Sequence, residues 1–208
     1  TLSADEPSIL KTDGEYLYFI RDNNLCVARA GEHPETISIT NTGIDQVYGL
    51  YNSGKYVSIV GSTKIESDSS DDVYDGCIIA VYDTTDKTLP VLVRQIAAEG
   101  SYKQAHLKDN TVYLFVYKEA DSSDGYSVPK YYDSANSSVS DTKSLSQVRY
   151  VPEMADKAYT SVLCFNISDM GRALNIHTLL GCGENYSLTG NSLYIAAPSQ
   201  PGTSVYKL

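Results

Sequence analysis

The chain has 208 residues, 42% of them hydrophobic, enough to close one core or at most two small ones. Twenty-six acidic side chains against 16 basic ones give a formal net charge of -10, the wrong sign for holding nucleic acid through its phosphates. No run of 18 apolar residues occurs, so nothing reads as a membrane-spanning helix.

Gly, Asn, Asp and β-branched residues interrupt almost every window long enough for three helical turns, and strand patterns take the place of helices. A short strand at 8–11 is followed by the turn Asp13-Gly14 and a strand at 15–20. The turn Asp22-Asn23-Asn24 leads into 25–28, and 36–39 ends the unit. A second unit runs through 46–50, the turn Asn52-Ser53-Gly54, a strand at 55–60, an insertion, and strands at 77–83 and 91–96. The third has 102–107, the turn Lys108-Asp109-Asn110, 111–117, a longer insertion, 161–166 and 174–180. The fourth has 185–188, the turn Thr189-Gly190-Asn191, 192–196 and 204–208.

Turn, strand, connection and strand thus recur in one order four times, in units at 8–40, 45–97, 101–180 and an incomplete 184–208. A four-stranded sheet that cannot cover its own faces is the unit of a β-propeller. The predicted fold is all-β, a propeller of four-stranded antiparallel blades, about four of them here. A sandwich of similar hairpins competes with it, and the fourfold order favours blades. The arrangement predicts 56–60 antiparallel to 78–82 and 112–116 antiparallel to 162–166, in successive sheets.

The insertions, at 61–76 and 118–149, both join second to third strands, so they are expected as long loops on one face that supply no repeated core strand. Residues 66–75 hold five acids and no base, and 119–147 hold nine serines. In the second, Tyr126, Tyr131 and Tyr132 offer rings with hydroxyls, and Asp124, Lys130 and Asp133 offer polar groups; together they form a candidate ligand-binding set. Rings packing the loop against the sheets are the other reading of the same tyrosines. In the first insertion Asp68, Asp71, Asp72 and Asp75 are candidate calcium ligands, although their order is not that of an EF-hand. No other cofactor is suggested.

Catalytic patterns are scarce. His33, His106 and His177 stand singly, and HExxH, GxSxG and the Rossmann and Walker glycine patterns are absent. The acidic loop could supply a glycosidic carboxylate pair about 5–9 Å apart, but its serine-rich surroundings offer nothing to raise one acid's pKa. Cys26, Cys77, Cys164 and Cys182 form an even set with no CxxC pair. Cys26 and Cys164 fall in third strands of different blades, where they are expected as separate small core residues beyond disulfide reach.

Ser8-Ile9-Leu10-Lys11-Thr12-Asp13-Gly14-Glu15-Tyr16-Leu17-Tyr18 is similar to the opening blade motif of the bacterial and archaeal secreted beta-propeller domain proteins. Val81-Tyr82-Asp83-Thr84-Thr85-Asp86, Glu99-Gly100-Ser101-Tyr102, Ile167-Ser168-Asp169 and Asn191-Ser192-Leu193-Tyr194-Ile195-Ala196 extend the resemblance along nearly the whole chain. Ala28-Arg29-Ala30 departs from it by lacking the acidic ending seen at Asp83. The resemblance implies a secreted or envelope-associated protein whose propeller is longer than this chain, and it brings no catalytic residue. The resemblance thus informs fold and location; the function expected of the chain is a noncatalytic module binding an extracellular or envelope partner, a protein. The alternative is a glycan-binding or glycan-processing module using the acidic and Tyr-bearing loops. A chain starting at Thr1 without a signal-peptide pattern reads as processed or trimmed. The incomplete last unit reads either as part of a larger ring or as a small ring completed by residues 1–7.

Overall fold

The computed structural model describes residues 5–66, 73–120, 127–136, 145–150, 157–183, 185–189, 192–199 and 202–207. The first sheet has β1 (Leu10–Thr12), β2 (Tyr16–Arg21), β3 (Asn24–Arg29) and β4 (Glu35–Asn41) in sequence order. The second has β5 (Gln46–Ser53), β6 (Tyr56–Glu66), β7 (Val73–Asp83) and β8 (Val91–Glu99). The third has β9 (Ser101–Lys108) and β10 (Thr111–Glu119), then, past β11 (Tyr131–Asp133) and β12 (Arg149–Tyr150), β13 (Ala158–Asn166) and β14 (Asn175–Leu180). The fourth has β15 (Asn185–Thr189), β16 (Ser192–Ser199) and β17 (Gly202–Lys207).

Turn chemistry sets the hairpins. Asp22 and Asn23 have φ of 51° and 57°, and Asp109 and Asn110 have 49° and 59°. Two consecutive left-handed residues make the turn whose twist matches the strands on either side, and Asn and Asp tolerate that conformation best among non-glycine residues. Third strands end on another repeated device. Asp83 accepts the Thr85 amide at 2.8 Å, and Asn166 accepts the Ser168 amide at 2.9 Å. The hydroxyl and amide of Thr85 hold the Asp83 carboxyl below its ordinary range.

The predicted pairings are present, with Val57 opposite Tyr82 and Val112 opposite Phe165 in successive sheets. The sheets pack face to face in chain order. Tyr18, Leu25 and Val27 of the first meet Val57, Ile59, Ala80 and Tyr82 of the second. On its other face the second sheet meets Val112, Leu114, Leu163 and Phe165 of the third through Val60, Ile79, Val81 and Ile96. Phe115 then stacks on Tyr186 of the fourth, 4.4 Å between centroids. Position in this stack explains the patterning: β7, covered on both faces, is buried without a break from Gly76 to Tyr82, whereas β17 alternates.

The structure corrects two expectations. Residues 61–76 are not a long loop: β6 and β7 continue as a hairpin to the pair Glu66 and Val73, because alternating polar residues such as Lys64 and Asp75 suit an exposed two-stranded ribbon. The second insertion does supply strands. β11 extends the second sheet beyond β8, and β12 runs parallel to β14, so both sheets are five-stranded. Asp5 bridges Leu107 of β9 and Ser8 bridges Leu50 of β5, so the described N-terminal residues meet the first strands of the third and second sheets, and the fourth sheet is three-stranded among the described residues.

All four cysteines are free, in agreement with the separation expected of Cys26 and Cys164. Cys26 is fully buried, but Cys164 is only half-buried, because its face of β13 borders a gap toward the fourth sheet. Burial pushes the thiol of Cys77 up to about 12 and that of Cys164 up to about 11. Titration of the unreduced, denatured chain is expected to give four thiols; a count of two or none would contradict the placement of these strands.

Candidate functional site

The described roots of the two insertions meet between the second and third sheets. Tyr74 and Asp75 of β7, the junction Glu99-Gly100-Ser101, Lys103 of β9 and Tyr117, Lys118 and Glu119 of β10 line an open cleft of about 390 Å³. A single glycine makes the junction possible. Gly100 has φ of +125°, and a Cβ there would lie 2.5 Å from the Tyr117 carbonyl oxygen. Its amide donates to the Asp75 carbonyl at 2.9 Å, which ties the root of the first insertion to the start of the third sheet.

Glu99 organises the floor. One carboxylate oxygen lies 2.8 Å from Lys118 Nζ, and the other accepts the Lys130 amide at 3.0 Å. The Glu99 amide in turn donates to the Lys130 carbonyl at 2.9 Å. Lys118 also donates to the Ser127 carbonyl and hydroxyl, at 3.3 and 3.2 Å. Around this floor, Lys130 Nζ sits 4.9 Å from the Tyr74 ring centroid and Lys103 Nζ sits 4.6 Å from that of Tyr117. Lys64 pairs with Asp75. The cleft is therefore polar and neutral in small patches, with lysines laid over tyrosine rings.

The residues singled out from sequence separate into groups. Tyr126 and Asp124 lie outside the described residues, as do Asp68, Asp71 and Asp72. Asp75 lines the cleft. Lys130 borders it through Tyr74. Tyr131 and Asp133 are directed inward: the Tyr131 hydroxyl lies 2.6 Å from Ser161 Oγ and 2.7 Å from Thr178 Oγ1, both on the third sheet. Asp133 holds the buried Arg94 with two bonds, Nε at 2.9 Å and Nη2 at 2.6 Å. Alternation along β11 turns Tyr132 to the opposite face, where it packs against the cluster between the first and second sheets. Of the four candidate ligand-binding residues that are described, the structure thus brings Lys130 to the cleft, and the other three anchor the insertion.

Glu99, Gly100, Lys103 and Lys118 carry no site signal in the sequence. Glu99-Gly100 belongs to a blade motif, and nothing in a single strand end tells that a distant lysine will return to it. Among the described residues, no group of three or more His, Cys, Asp or Glu side chains converges as a metal site would require, and no helix is long and apolar enough to cross a membrane.

A family model described as Beta propeller domain matches residues 2–208. Neither the curated proteins nor the solved structures compared with the chain gave a match.

Proposed function

We propose, from the premise that this chain belongs to the beta propeller domain family, that it is a noncatalytic binding module of the cell exterior or envelope whose cleft between the second and third sheets takes a protein partner. The observation that carries this reading is the pairing pattern of the cleft. Its charges alternate in sign and its rings lie beside hydrogen-bonding groups, a surface matched by a polypeptide segment bringing both charges and backbone donors. Two-carboxylate glycosidic chemistry needs acids facing each other, whereas Glu99 and Asp75 each face a lysine. The exterior location rests on the resemblance of the blade motifs to secreted propeller proteins.

The chain, immobilised, is to be exposed to envelope and extracellular fractions of producing cells and to a glycan array. A protein is expected to be retained, and Lys103→Glu and Lys130→Glu are each expected to raise its dissociation constant about tenfold, roughly 1.4 kcal/mol, without lowering the unfolding midpoint. Glycan turnover lost on Glu99→Gln would overturn the proposal, as would a partner indifferent to both lysine substitutions.

A further inference from the structure

Aromatic rings close the seam between the third and fourth sheets around a histidine. Alternation puts Gln104 and His106 of β9 on the face turned to the fourth sheet, opposite Phe115 and Tyr113 of β10. Phe115 stacks on Tyr186 of β15, and the His106 ring meets Phe115 edge to face, with 6.3 Å between centroids and 77° between planes. Inside this packing His106 Nδ1 is buried without a hydrogen-bond partner among the described residues, as is Gln104 Nε2 beside it in the strand. A neutral imidazole tolerates the position, because Nδ1 is then only an acceptor left unmade. An imidazolium does not, since the same atom becomes a charged N–H donor with nothing to receive it.

The groups around the ring give a positive charge little help. Burial holds the imidazole below the ordinary histidine range, and the Glu6 carboxylate of the N-terminal segment acts more weakly in the opposite sense. On β9, Lys108 lies two residues on and shares the face by alternation, so its ammonium opposes a second cation. On β10 and β13, burial keeps the Tyr113 hydroxyl and the Cys164 thiol neutral. From the fourth sheet, β15 and β16 bring Tyr186, Leu188, Leu193 and Ile195, none of them charged. At the outer side of the seam β14 and β12 add His177 and Arg149, both exposed to solvent.

This is also the lightest of the three seams. Among the described residues its cluster has four buried members, Leu179, Cys182, Ile195 and Ala197, against 11 between the first and second sheets and 15 between the second and third. Neither larger cluster contains a histidine. A small penalty at His106 therefore falls on the joint with least to oppose it.

We infer that this seam is an acid-sensitive joint: a proton taken up by His106 undocks the fourth sheet from the third, while the first three sheets keep their packing. The docked seam holds the ring neutral and an undocked one lets it charge. Docking is therefore complete above a pH of about 6.5, the ordinary histidine value, and is lost as the pH falls below it. A three-stranded sheet deprived of the face it packs on does not keep its own hydrogen bonds closed, so undocking is legible in its amides.

Amide hydrogen exchange of the 208-residue chain at pH 7.5 and 5.5, corrected for the intrinsic pH dependence of exchange, measures this joint. β15 and β16 are expected to exchange about tenfold faster at the lower pH, with β6 and β7 unchanged. His106→Phe keeps a ring in the seam and His106→Gln keeps a polar side chain; each is expected to abolish the difference, whereas His177→Gln retains it. Equal rates at both pH values, a difference that survives both His106 substitutions, one lost on His177→Gln, or one that spreads equally to β6 and β7 would overturn the inference.

Discussion

Arg94→Ala is expected to destabilise the protein by about 3–5 kcal/mol, the loss typical when one partner of a buried ion pair is removed. Arg94 is 2% and Asp133 7% exposed, so the carboxylate left behind has little water to turn to. The same guanidinium donates to the carbonyls of Met170 and Arg172, at 2.7 and 2.8 Å, and lies over the Phe165 ring. One side chain thereby fastens β8 to the second insertion and to the third sheet. Arg94→Lys is expected to recover little, because an ammonium cannot reproduce the two-pronged bond to Asp133 while reaching both carbonyls. Arg94→Met combined with Asp133→Leu is expected to cost less than either single change. Urea unfolding measures this directly; a loss under 1 kcal/mol for Arg94→Ala would show that the insertion is not fastened there.

Gly100→Ala ranks next, with an expected loss of about 2–4 kcal/mol from left-handed backbone and overpacking together. The obstruction is backbone: the new methyl would meet the Tyr117 carbonyl, which cannot rotate away as a side chain could. Relief requires β9 and β10 to separate from the β8 junction, which widens the cleft and lengthens the bond from the Gly100 amide to Asp75. Denaturant unfolding reads the stability, and the affinity of any partner found for the cleft is expected to fall with it. An alanine variant of undiminished stability would contradict the tight junction.

What the sequence made legible followed from local rules. Alternating apolar strands, Asp-Asn turns with left-handed residues and repeated order gave the hairpins, the four units and the separate sheets. Boundaries slipped where strands are polar, as in the ribbon reaching Glu66 and Val73, since Lys64 opposite Asp75 reads as loop composition. The insertion was harder, because its role depends on partners far away in the chain. Val91, Leu92 and Val93 are exposed at 52%, 43% and 41% while the following Arg94 is buried, the reverse of what hydropathy suggests. Only the arrival of Asp133 and of two carbonyls from the connection between β13 and β14 makes that reversal stable. Tyr131 and Asp133 were legible as polar groups needing partners, and those partners turned out to be internal.

The second insertion folds back as a strand of the second sheet and so joins both insertion roots in one cleft. Amide hydrogen exchange at Glu99 tests it most directly, because this amide donates to the Lys130 carbonyl, on a strand edge with no other neighbour among the described residues. The Glu99 amide is expected to exchange as slowly as the amides within the β7 and β8 ladder, with a cross-strand contact between Tyr131 and Ala98 in nuclear Overhauser spectra. Exchange at the rate of an open edge, without that contact, would contradict it.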